Sequence, residues 1–164
     1  MGGLSALCRF VVPLAANFPA AIVVAIYNGP AAGSSTDESA QLPAIVGQHT
    51  RLPVLDAVDG AEFHPGSIYL APQGHHLVVL PTGRFDSYDA AKLRYPAPAA
   101  DPLFRSAAAA YGRRVTGIVQ SPSDATARGM LTSALLSNHT DFCVLLDEMP
   151  KLLMSLVSPT GRAG

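Results

Sequence analysis

The sequence predicts an α/β fold: a mostly parallel sheet with helices on both faces, a three-layer sandwich, and one antiparallel hairpin. Three observations carry this. Residues 21–26, AIVVAI, are apolar at every position and rich in β-branched side chains, as in a strand covered on both faces. Helix-period segments and short apolar runs alternate along the chain. Hydrophobic residues make up 49% of the 164 and charged residues only 14%, which supplies a sizeable core and too little charge for a disordered chain. The length suits a single domain over 1–164.

Each element has its own reason. Leu4, Leu7, Val11 and Leu14 recur at spacings of three and four, so residues 4–17 read as a helix that Pro13 ends or kinks. Residues 20–27 form the apolar strand, which closes on Tyr27-Asn28-Gly29-Pro30. Residues 28–41 are loop-like, although Ser, Thr and acidic residues at 34–39 are also the signature of a helix start. Residues 42–49 continue as a helix with Pro43 in its first turn. Strands are expected at 52–59, 66–72 and 75–83, and the short Pro72-Gln73-Gly74 link predicts that the last two form the hairpin. Residues 85–100 read as irregular. DPLFRSAAAAYG at 101–112 is a helix with Asp101 as N-cap, Pro102 as first helical residue and Gly112 as its stop. A strand at 113–120 follows, weakened by Gly117. A short helix at Met130–Leu136, a strand at 141–147 and a helix over EMPKLLMSLV complete the chain.

Bulk properties exclude several functions. The formal net charge is −1 with no run of Lys or Arg, which argues against nucleic-acid binding. No apolar run approaches the length of a membrane span, so no membrane insertion is expected. LSALCRFVVPLAA lacks a basic flank and is interrupted by Arg9 and Pro13, so no signal peptide is read and a cytoplasmic protein is expected. Cys8 and Cys143 have no metal-ligand spacing and read as buried reduced thiols.

Few motifs carry chemistry. GPAAGSS at 29–35 lacks both the GxGxxG spacing and the Lys-Ser/Thr ending of a phosphate loop. No GxSxG elbow exists. The histidines, at 49, 64, 75, 76 and 139, show no metal-binding spacing. His75 and His76 are adjacent at the expected hairpin turn, so their side chains point to opposite faces. Asp141, Asp147 and Glu148 read as caps of the closing helix. Ser121, Ser123 and Asp124 form a polar turn without a nearby histidine. No cofactor and no metal site is implied.

HPGSIYLAPQGHHLVV at 64–79 resembles a strand–turn–strand segment of CheB-type chemotaxis methylesterases, which hydrolyse receptor glutamate methyl esters and deamidate receptor glutamines. DPLFRSAAAAYG is similar to that family's LFRSAA helix, with Pro98 and Asp101 in register. Residues 118–153 resemble its C-terminal stretch, GGLSAL at 2–7 the residues after its nucleophile turn, and AIVVAI its second core strand. The resemblance implies a scaffold for a serine, histidine and aspartate triad, in which a base takes the hydroxyl proton and a carboxylate orients the base.

Carried over residue by residue, none of the three roles lands on its residue type. Gly2 and Gly3 match the glycines of the Ser-x-Gly-Gly turn, so the serine and the family's first strand are expected to fall before residue 1. The family's Gln-His pair aligns with Ile26-Tyr27. Tyr27 is a poor base at neutral pH because a phenol ionises near ~10. YGRRVTG runs directly into IVQSPSDATA, so the aspartate turn and its strand–helix unit are expected to be absent. A second register places Asp124 near that turn, with Ala125 in the carboxylate's position.

The reading is a degenerate, catalytically inactive methylesterase-like domain without a receiver domain. Chemoreceptor cytoplasmic helices or signalling proteins are its implied partners, unless it is a remnant without function. The lost central strands predict a smaller, rearranged sheet, or a homo-oligomer formed through unpaired strands, because unpaired buried backbone groups cost roughly ~1–3 kcal/mol each.

Overall fold

The computed structural model describes residues 3–26, 41–89, 98–125, 129–136 and 139–158. Its organising strand is β3 (Ile68–Leu70), which lies between β1 (Ile22–Val24) and β2 (Val54–Asp56), parallel to both. Ile68, Tyr69 and Leu70 are 0%, 4% and 1% exposed, so this strand is dry on both faces. That requires an apolar layer on each side.

On one side, Ile68 and Leu70 meet α1 (Gly3–Val11), α2 (Leu42–Gly47) and α5 (Met149–Val157). Helix α1 buries Ala6, Leu7, Phe10 and Val11, the apolar stripe of a surface helix. It ends at Val11, before Pro13, and residues 12–18 continue in turns closed by Leu14 N–H to Val11 O and Phe18 N–H to Ala15 O. The expected helix of 4–17 is therefore shorter, yet Leu14 and Phe18 still reach the core. On the other side, Tyr69 and Ala71 pack with Leu77, Val79 and Phe85 and with Leu103 of α3 (Ala100–Tyr111). Tyr69 and Phe85 meet edge to face at 5.1 Å. Helices thus cover both faces, as expected.

The hairpin is not the expected one. β4 (His75–Val79) pairs antiparallel with β5 (Phe85–Asp89), whereas residues 68–70 belong to the parallel sheet. The reversing turn is Pro81-Thr82-Gly83. Gly83 sits at φ 78° and its N–H bonds to Leu80 O, while Leu80 N–H bonds to Arg84 O. A glycine in the left-handed region is what such a hairpin loop needs. Pro72-Gln73-Gly74 instead carries the chain out of the parallel sheet. His75 and His76 therefore stand in a strand rather than at a hairpin turn. They do face opposite sides: His75 is exposed and His76 fully buried.

Helix α3 begins one residue after Ala99, its N-cap, and Asp101 lies in its first turn. Pro102 is tolerated there because the first N–H groups of a helix have no partner inside it. Gly112, at φ 54°, ends the helix as expected.

β6 (Ile118–Gln120) pairs parallel with β7 (Phe142–Val144), and α4 (Gly129–Leu136) crosses between them. Among the described residues this pair is a separate sheet from β1–β3–β2. Phe104 of α3 packs into both the Tyr69 cluster and the small core around Val119 and Ala134. Leu146 belongs to the core around α1.

The glycine expected to weaken β6 has a positive role. A Cβ on Gly117 would lie 2.5 Å from His139 O, a backbone atom. Gly117 N–H donates to Asp141 Oδ2 at 2.7 Å, and its carbonyl accepts from Asp141 N and Phe142 N. Gly117→Ala should cost about 1–3 kcal/mol, since the backbone must shift. Gly47→Ala, where a Cβ meets nothing within 4 Å, should not destabilise. Urea unfolding of the two variants checks the contrast.

Candidate functional site

Ligands of parallel α/β sheets bind beyond the carboxyl ends of the strands. Here three such ends lie side by side, those of β1, β3 and β2. Val24 O accepts from Ala71 N, and Ala57 N donates to Leu70 O, so each strand is held by its neighbour past its last paired residue. The end of β1 is tied further: Gln73 Nε2 donates to Ile26 O at 3.1 Å. The Ile26 side chain packs with the α1 core and offers no hydrogen-bonding group. Gly74 at φ 78° lets the chain turn sharply after Gln73, and Gln73 O lies 3.3 Å from His75 Nδ1.

Beside this turn, at the end of β2, is a recess of ≈ 220 Å³, lined among others by Asp56, Asp59, His75 and Ser87. That is below the size of a typical small-molecule pocket and close to that of one side chain. Asp59 Oδ1 accepts from Ser87 N at 2.9 Å. Desolvation raises the Asp56 carboxyl above its ordinary pKa even though the residue's surface is largely open to solvent.

At the end of β6, Ser121 N donates to Val144 O, and the Ser121 and Ser123 hydroxyls are 2.8 Å apart. Asp124 N donates to Ser121 O. Asp124 Oδ2 accepts from Leu146 N at 2.9 Å and lies 3.5 Å from Gln120 Nε2. This carboxylate therefore joins the β6 turn to the segment after β7. The Ser121 hydroxyl also accepts from Ser123 N at 3.3 Å, and among the described residues no histidine hydrogen-bonds to Ser121 or Ser123.

The two residues singled out at the sequence level as nearest to the family's chemistry, Tyr27 and Gly2, lie outside the described residues; Gly3 is the first residue of α1. The acidic residues near β7 divide their work. Glu148 Oε2 accepts from Leu145 N and caps the turn Leu146–Glu148 that leads into α5. Asp147 pairs with Arg9 of α1, and Asp141 holds Gly117 rather than capping. Cys143 is exposed, contrary to the expected burial, whereas burial pushes the half-buried Cys8 thiol up. Among the described residues no group of three His, Cys, Asp or Glu side chains could hold a metal ion, and no helix is long and apolar enough to cross a membrane. Gln73 escaped the sequence reading. Its only signal is an amide beside a turn glycine just past a buried strand.

The family model of the CheB methylesterase matches residues 1–121. A protein-glutamate methylesterase/protein-glutamine glutaminase of Chromohalobacter salexigens is 27% identical over 191 residues, covering 99% of this chain and 51% of that protein. Another, of Myxococcus xanthus, is 40% identical over 111 residues, covering 68% of this chain and 30% of that one. The chain spans about half the length of the first of these curated relatives. The crystal structure of the Thermotoga maritima CheB methylesterase catalytic domain superposes with a TM-score of 0.74 at 24% identity, covering 95% of this chain and 94% of that one, a likeness of fold.

Asp124→Ala should destabilise the protein by about 1–2 kcal/mol, because Leu146 N–H loses its charged acceptor in a half-buried place. Asp124→Asn keeps an acceptor oxygen and should recover roughly half of that loss. Thermal unfolding of both variants measures it.

Proposed function

The chain belongs to the CheB methylesterase family, and we propose that it keeps the family's scaffold without hydrolysing esters, acting instead as a binding module for the cytoplasmic helices of chemoreceptors or their signalling partners. What supports this reading is the sequence ending of the apolar run AIVVAI on Tyr27, which the family resemblance aligns with the base histidine. A phenol ionises near ~10 and stays protonated at neutral pH, so it does not draw a proton from a hydroxyl. The neighbouring Ile26 supports the reading. It aligns with the family's glutamine, and its side chain is committed to the α1 core.

The carboxylate position points the same way. In one register the aspartate turn is absent. In the other Ala125 takes its place, and the adjacent Asp124 is engaged in holding Leu146 N. A protein-binding role is supported by relatives whose names place their action on protein glutamate and glutamine, and the chemoreceptor is the partner that the family resemblance implies. The open carboxyl ends of β1, β3 and β2, with the Asp56–Ser87 recess beside them, offer the place for it.

The test is methanol release from a methylated receptor cytoplasmic fragment, run beside a relative that has serine, histidine and aspartate. The proposal expects no release above buffer. Release within about 10²-fold of the relative's rate would overturn it, since a positioned general base typically contributes about 10²–10⁴-fold. The same receptor fragment, immobilised, should retain the protein, and failure to retain it would overturn the binding role.

A further inference from the structure

His76 is the one polar side chain in the buried core of the described residues, 1% exposed, and nothing in the proposed function uses it. It stands in β4, and its Nδ1 accepts the Ala99 N–H at 3.3 Å. Ala99 is the N-cap of α3, and no side chain caps that helix. An imidazole that accepts at Nδ1 carries its proton at Nε2 when neutral. Among the described residues that Nε2 is buried without a partner. The Tyr88 ring of β5 lies 5.3 Å away at 39°.

We propose that His76 is an acid-released latch between the β4–β5 hairpin and α3: protonation of Nδ1 breaks its bond to Ala99 N–H and frees the first turn of α3 from β4. The geometry makes the charged ring unwelcome. A proton on Nδ1 would face the Ala99 N–H, donor against donor. The positive charge would sit at the N-terminus of a helix, where the dipole disfavours a cation. Among the described residues Nε2–H has no acceptor to share the charge.

The groups around it among the described residues offer little relief. Tyr88 on β5 presents its ring, and Asp86, on the same face of that strand, is exposed. Asp101 stands in the first turn of α3, and its buried Oδ1, like His76 Nε2, has no hydrogen-bond partner among the described residues. Arg105, one turn further along α3, is exposed, as is His75 on the opposite face of β4. Desolvation accordingly lowers the His76 pKa. A base whose pKa is lowered in the closed form is protonated first in the open form. The latch therefore holds above the ordinary histidine pKa of about 6.5 and weakens as pH falls through it.

Amide hydrogen exchange by NMR on the whole chain, corrected for intrinsic rates, reads this directly. Between about pH 7.5 and pH 5.5 the protection of the Ala99 and Leu103 amides should fall about tenfold, one pH unit below the open-state pKa being a factor of ten. Ile68 and Leu70 in β3 should keep theirs. His76→Asn places an acceptor oxygen near the Nδ1 position without a titrating ring, and its Ala99 protection should not change with pH. Protection that is constant or rises in acid in the natural protein overturns the latch, as does an equal fall in His76→Asn. If that variant does not fold, the His76 ring titration decides. A pKa below about 6.5 that moves together with the Ala99 amide shift supports the latch, and one at or above it overturns it.

Discussion

Burial of β3 on both faces is the constraint on which the rest of the structure depends. Ile68 and Leu70 point one way and Tyr69 the other, and each is almost fully removed from water. Each such side chain contributes about 1.5–3 kcal/mol only if an apolar neighbour replaces water on its own side. One face therefore recruits the stripes of α1, α2 and α5, and the opposite face recruits the hairpin and Leu103 of α3. Parallel pairing with β1 and β2 satisfies the backbone of β3 along both edges. The layered architecture shared with the Thermotoga maritima domain follows from this arrangement, and it holds at 24% identity because apolar volume and pattern, rather than particular side chains, satisfy it.

Scaffold and chemistry separate at the carboxyl ends of the strands. The ends of β1, β3 and β2 are braced by backbone bonds and by the Gln73 amide, none of which needs a catalytic group. Asp124 and Glu148 likewise serve backbone N–H groups. A fold of this kind retains its shape when reacting side chains are replaced, because those side chains lie where strands end and the core does not.

How much of this was legible in the sequence depended on the kind of signal. AIVVAI and SIYL announce buried strands because uniform apolar runs have few other homes. The α3 boundary at Gly112 was legible from turn chemistry alone. Strand β5 was not, because FDSYD presents Phe85 inward among polar residues and is followed by Pro96 and Pro98, so its strand character comes from pairing with β4 rather than from composition. The hairpin was misplaced for a related reason. Pro72-Gln73-Gly74 and Pro81-Thr82-Gly83 both carry turn residues, and only the tertiary pairing of β3 with β1 decides which of them reverses the chain. Gly117 read as a weak point because close approach of His139 O is invisible in one dimension. The adjacent histidines were correctly sent to opposite faces by strand geometry, but the full burial of His76 depends on α3 docking above it. The bond from Gln73 to Ile26 O at the carboxyl edge was not legible, because it joins residues far apart in the chain.

We propose a methylesterase scaffold without an activated nucleophile. Intact-mass spectrometry after exposure to a serine-directed fluorophosphonate tests it most directly, because the reagent phosphonylates a hydroxyl only where a neighbouring base draws away its proton. The account predicts an unmodified mass at reagent concentrations that label a triad-bearing relative to completion. A stoichiometric adduct on a single serine would contradict it.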